Sequence, residues 1–182
     1  MPYDLIHTIS ENQKALTNAE IAETCPAAFT TKASPETSSR YGFINSANAI
    51  DILRDNGFEP VRAIQKGSQN PEMIPFQEHM LSFARPGEFG NQDQKTLVLY
   101  NSHNRRSSLR LMTGCFRAVC SNELIKDGEG FDAKLRHSMA TVAGFEALLN
   151  DQVQNLDSMM DSIEAMKARN LSQNDCLDFA YD

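Results

Sequence analysis

Residues 96–122, TLVLYNSHNRRSSLRLMTGCFRAVCSN, constrain the fold of this chain more than any other segment. Thr96 to Tyr100 is a short apolar run with β-branched and aromatic residues, the composition of a buried strand. Asn101, Ser102, His103 and Asn104 then set four hydrogen-bonding side chains in a row, followed at once by Arg105 and Arg106. Leu109 and Leu111 alternate with Ser108 and Arg110, which places Arg110 on the face opposite the leucines. Gly114 separates this run from a last, mostly apolar piece, Cys115 to Cys120. The segment is expected to be a rigid hairpin that presents His, Asn, Ser and Arg at its tip.

The flanking sequence supplies partners for the hairpin. Leu5 to Ile9, Val61 to Ile64 and Phe76 to Arg85 have strand patterns and are joined by turns. Strands in succession without intervening helices imply an antiparallel sheet. Thr17 and Glu20 form a capping box for a short helix that stops before Pro26. Asn45 or Ser46 can cap a second helix that ends at Gly57. From about Phe131 the period becomes helical: Leu135, Met139, Val142, Phe145, Leu149, Val153, Leu156, Met160 and Ile163 step by three or four. So long an apolar stripe predicts either a break near Asn150 or a far half that packs on another subunit. Leu171 to Asp175 resembles a further helix start. The fold expected is α+β, an antiparallel sheet of three to five strands backed by helices with a long C-terminal helix. Residues 1–128 form the sheet domain, and 129–182 a helical extension that packs on the sheet or on another subunit.

Charge narrows the function. The chain of 182 residues carries a net −7, which argues against a protein that coats nucleic acid generally. The charge is uneven, at −4 over residues 1–60, +4 over 61–120 and −7 over 121–182. The basic surplus therefore sits on the sheet. No window is long and apolar enough to span a membrane, and no secretory signal opens the chain. Four cysteines (Cys25, Cys115, Cys120 and Cys176) without CxxC spacing read as reduced thiols in a cytoplasm.

Two sets of side chains carry possible chemistry. His79, His103, His137 and Cys120 would form a metal site or a His/Cys catalytic site if brought together. No ligand pair has helical or CxxC spacing and no carboxylate flanks the histidines, so hydrogen-bonded structural roles are favoured, with no metal and no cofactor. Arg105, Arg106, Arg110 and Arg117, with Lys66 and Arg85 nearby, form the other set. The planar, permanently charged guanidinium suits phosphate. Tyr100, Phe76 and Phe83 offer stacking surfaces to unpaired bases. No GxGxxG, Walker A, GxSxG or HExxH motif occurs.

The order of these residues resembles the phage/plasmid-like family called domain of unknown function 932. The matching positions are Ser39, Arg40 and Tyr41; His79, Met80, Phe83 and Arg85; Asn101, Ser102, His103 and Asn104; Arg117, Val119, Cys120 and Asn122; and Arg136 and His137. Glu123 stands where a Gly or Thr is usual. Members are often longer, which implies a shortened C-terminus. The resemblance implies a phage, plasmid or mobile-element origin and a bacterial host cytoplasm. The element order also looks like that of single-strand annealing proteins, whose DNA lies across a basic hairpin surface and whose subunits form rings or filaments.

The first expectation is thus a non-enzymatic protein that binds single-stranded nucleic acid, for annealing or recombination. Arg105, Arg106, Arg110 and Arg117 would hold phosphates, Tyr100 and His103 would stack or hydrogen-bond, and the long helix would join a homo-oligomer. The alternatives are a phage protein that inhibits a host defence or regulatory protein, and an enzyme using the His/Cys site.

Overall fold

A computed structural model describes residues 5–9, 14–89, 93–117, 123–125, 132–135, 142–170 and 172. The sheet is antiparallel and built mainly as a meander. Its strands are β1 (Leu5–Ile9), β2 (Glu59–Lys66), β3 (His79–Ala84), β4 (Asp93–Asn101) and β5 (Leu109–Arg117), each paired with the next. These five are the strands expected from the sequence. Two short additions, β6 (Glu123–Ile125) and β7 (Asp132–Leu135), share the far edge of β5 and bring the sheet to seven. β5 runs unbroken through Gly114, where the sequence suggested a break. Gly114 lies within the ladder between Thr96 on β4 and Ile125 on β6, so backbone pairing on both sides carries the strand through it.

The helices follow their local signals. α1 (Asn18–Thr24) begins with the expected capping box: Thr17 Oγ1 accepts from the Glu20 amide at 3.2 Å, and Glu20 Oε2 accepts from the Thr17 amide at 2.7 Å. α2 (Ser46–Asp55) is capped by Asn45, whose Oδ1 accepts from the Ala47 amide at 2.9 Å. Gly57 follows at φ 81°, the left-handed residue that lets the Phe58 amide return to the Leu53 carbonyl. Short 3-10 helices occupy Pro26–Phe29 and Pro71–Phe76, so Phe76, expected to open a strand, ends a helical turn and β3 begins at His79.

α3 (Val142–Ala168) corrects two expectations. It starts later than Phe131, because Asp132–Leu135 pairs with β5 as a strand. It also passes Asn150 without a break, about 40 Å long at ~1.5 Å per residue. Phe145, Leu149, Gln152, Leu156 and Met159 recur at steps of four and three and are all buried. That stripe packs on the chain's own sheet, so no second subunit is required as far as Met159. Within it, Thr113 Oγ1 of β5 donates to Gln152 Oε1 at 2.9 Å, locking the helix in register. Ile163 still packs against the core, and from Glu164 on the helix emerges into solvent, with Met166 71% exposed.

All three helices cover one face of the sheet. The core row Ala63, Leu81, Leu99, Leu111 runs across β2 to β5, and Phe83 and Leu97 form the row beside it. Ile21, Ala49, Ile50, Leu53, Phe145 and Leu149 pack against these rows, so one core joins residues from both sequence segments. Toward the β4–β5 connection the same face changes character. Its next row is Gln65, His79, Asn101: polar, paired in register, and buried. No helix among the described residues is long and apolar enough to cross a membrane.

Candidate anion-binding site

The polar row finds its partners in backbone groups and in other buried side chains. Gln65 Oε1 accepts from the Ala27 amide at 2.8 Å and its Nε2 donates to the Ile74 carbonyl at 3.0 Å. His79 Nδ1 lies 3.0 Å from the Gln77 carbonyl, which can only accept, so Nδ1 carries the proton. Nε2 is then bare in the neutral ring and accepts from Ser46 Oγ at 2.8 Å. Ser46 Oγ in turn accepts from Asn101 Nδ2 at 3.0 Å. Asn101 completes its set by accepting the Ser102 amide at 2.8 Å. Burial pushes the His79 pKa down to about 4, against a smaller upward pull from the Gln77 carbonyl.

This network fixes the connection between β4 and β5. Ser102 Oγ accepts from the Ser107 amide at 3.0 Å, closing the loop on itself. Asn104 Oδ1 accepts from the Arg106 amide at 3.2 Å. The His103 amide donates to the Phe76 carbonyl and the His103 carbonyl accepts from the Ser34 amide, so the loop is held from two sides. Tyr41 donates its hydroxyl to the Ser102 carbonyl at 2.8 Å, and burial raises its pKa. With the four residues Asn101 to Asn104 buried, Arg105 and Arg106 are left on the outside. Arg105 has φ 66°, the only non-glycine residue in the left-handed region among those described.

The loop and the 38–41 segment border an open cleft of about 390 Å³ lined by Ser38, Arg40, Tyr41, Arg105, Arg106, Ser107 and Ser108. Three of its lining residues are arginines and none is acidic. The nearby Glu78 pairs with Lys66 Nζ at 3.0 Å, and its charge also acts on Arg106 at the cleft border. Burial pushes the Glu78 pKa up, but hydrogen bonds from Lys66 and Tyr100, with the charges of Lys66 and Arg106, outweigh it and leave the carboxyl below its usual range. Tyr100 is pushed up to about 12, by burial first and by its bond to Glu78 second.

The structure therefore sorts the residues expected from the sequence. Arg105 and Arg106 stand together at the tip, and Arg110 follows on the sheet's second face, in register with Tyr100. Lys66 is at the same end but is paired with Glu78. Arg85 is not part of this surface: it follows β3 about 20 Å away, six residues at ~3.3 Å, with its guanidinium 4.8 Å from the centre of the Phe58 ring. Arg117 is likewise remote, at the other end of β5 opposite Asp93. His103, expected to stack or hydrogen-bond at the tip, is instead buried. Its ring has no exposed surface and packs against Phe43 at 4.8 Å and His79 at 5.2 Å between centroids. Cys120, Asn122, Arg136 and His137 lie outside the described residues. Among the described residues no group of three His, Cys, Asp or Glu could hold a metal ion. Arg40 was absent from the expected binding set; its place in the Ser39-Arg40-Tyr41 motif was the one signal that marked it.

The family described as "Domain of unknown function (DUF932)" matches residues 36–182. UPF0380 protein YafZ of Escherichia coli (strain K12) is 30% identical over 157 residues, covering 82% of this chain and 57% of that protein. UPF0380 protein YfjQ of the same organism is 33% identical over 118 residues, covering 65% and 43%. The chain thus spans about half the length of these relatives. No solved structure matches it.

Proposed function

The chain belongs to the DUF932 family of domains of unknown function, and from the family residues gathered beneath its cleft we propose that this protein binds the phosphates of single-stranded nucleic acid. The observation that carries the reading is the meeting of Arg40, Arg105 and Arg106, from segments far apart in sequence, around one cleft without an acidic lining residue. Guanidinium forks match phosphate oxygens and stay charged at every physiological pH. Beside the cleft, the second face of the sheet carries Ile64, Met80, Tyr100, Arg110 and Lys134 in one register row. Met80 and Tyr100 are half-buried there and offer a surface to unpaired bases. The setting is a phage- or plasmid-type protein in a bacterial cytoplasm. Self-association through the emergent end of α3 belongs to the same proposal.

Fluorescence anisotropy with short single-stranded and duplex oligonucleotides, across a salt series, tests it. Three phosphate contacts give a slope of log affinity against log salt of about −2 on single strands. The double substitution Arg105→Ala and Arg106→Ala should flatten that slope and leave thermal unfolding intact. Absence of binding at low salt overturns the reading. It would shift attention to a protein partner, for which α3 presents the exposed acids Glu146, Asp151, Asp157, Asp161 and Glu164.

A further inference from the structure

The geometry points to a narrower ligand, resting on the reading above: the cleft receives a terminal phosphomonoester, the phosphorylated end of a strand, in preference to an internal phosphodiester.

Charge is the first argument. Arg40, Arg105 and Arg106 place three positive charges on a cleft whose lining contains no carboxylate. A phosphomonoester carries about −1.5 to −2 at neutral pH, whereas an internal diester carries a single charge. Even with the Glu78 carboxylate acting on Arg106, three arginines on one cleft leave a positive surplus that the monoester matches better than the diester.

Oxygen count is the second. Each guanidinium presents a fork that is best filled by two acceptor oxygens. A monoester exposes three unesterified oxygens and a diester two, so only the monoester gives three forks enough acceptors at one phosphorus. The backbone contributes little here. The amide of Arg106 already donates to Asn104 Oδ1, and that of Ser107 to Ser102 Oγ. Recognition therefore falls to the guanidinium groups, with the hydroxyls of Ser38 and Ser108 at the border.

Size is the third. About 390 Å³ lies near the lower end of ligand cavities, roughly 300–1,000 Å³. One terminal nucleotide suits that space, while the rest of the strand leaves over the Tyr100 and Arg110 row. Tyr41 forms a fixed wall, since its hydroxyl is tied to the Ser102 carbonyl.

The test uses one single-stranded oligonucleotide in three forms: 5′-phosphate, 3′-phosphate and hydroxyl at both ends. Binding is measured to the full chain and to Arg40→Ala and Arg40→Lys, each checked by thermal unfolding. The expected result is roughly tenfold tighter binding of a phosphorylated form, lost in Arg40→Ala and only partly restored by Arg40→Lys, which keeps the charge without the fork. The two phosphorylated forms tell which end is read. Equal, salt-sensitive binding of all three forms overturns the inference and leaves the broader reading standing. A preference that survives in Arg40→Ala also overturns it, by placing phosphate recognition elsewhere. Failure of every form to bind removes both.

Discussion

Ser46 Oγ, on the first residue of α2, lies 2.8 Å from Nε2 of His79, on the first residue of β3, and both side chains are buried. In a cleft, that pair would suggest a nucleophile and its base. Here it has another use. Ser46 accepts from Asn101 and donates to His79, which donates to the Gln77 carbonyl, so the bonds run in one direction through the ends of two strands and a helix start. The network holds the β4–β5 loop against α2 and leaves Arg105 and Arg106 facing outward. Buried polar groups of this kind contribute through mutual satisfaction, and each is costly to leave alone.

Stability should therefore depend on pH through His79. Above about pH 6.5 the ring is neutral in both folded and unfolded chains. Between 6.5 and about 4 the unfolded chain takes up a proton that the folded chain refuses, so stability falls as pH falls; below about 4 this loss is complete. The whole window amounts to on the order of 3 kcal/mol. Urea unfolding of wild type and His79→Gln at several pH values checks it. The variant should lose about 1–3 kcal/mol at neutral pH and show a shallower decline below 6.5. Parallel curves would mean that His79 does not carry this dependence.

Asn101→Asp tests the direction of the same chain of bonds with almost no change in shape. Nδ2 of Asn101 donates to Ser46 Oγ at 3.0 Å and approaches the Ile44 carbonyl at 3.4 Å. An aspartate oxygen in that place meets the Ile44 carbonyl as acceptor against acceptor and carries a charge into a fully buried site. The expected cost is about 3 kcal/mol or more at neutral pH, partly recovered at acid pH as the carboxyl takes up a proton. Thermal unfolding at two pH values reads both parts. An unperturbed Asp variant would show that the network is not closed as described.

Much of the fold was legible because its signals are local. Thr17 and Glu20 cap α1, Asn45 and Gly57 bound α2, and the apolar run ahead of Asn101 marks β4. Where pairing across the chain decides the outcome, the sequence misled. Leu135 fits the spacing of the helical stripe, yet it sits on β7 opposite Leu109. His103 stands at the tip of a hairpin and reads as exposed, yet the 34–43 segment folds over it through Ser34, Tyr41 and Phe43. The same folding-over carries Arg40 to Arg105 and Arg106. Nothing in the local pattern of Arg40 marks a cleft, because the other half of that cleft is built far downstream.

Arg105 separates the demands of folding from those of binding. A side chain at φ 66° costs roughly 1–2 kcal/mol relative to the right-handed region. Glycine removes that strain but gains about 0.5–1 kcal/mol of freedom in the unfolded chain, so Arg105→Gly should stabilise the domain by about 0.5–1 kcal/mol. Arg106, which has no positive φ, should lose roughly that much when changed to glycine. Both variants remove a guanidinium from the cleft, so both should weaken oligonucleotide binding several-fold. Denaturant unfolding and anisotropy on the two variants give four numbers. A gain in stability with a loss of affinity at Arg105 alone identifies strain kept in place by the site. Destabilisation by Arg105→Gly would show that the loop relies on the arginine side chain for its own structure. Stabilisation with undiminished affinity would show that the strained arginine serves no ligand in this cleft.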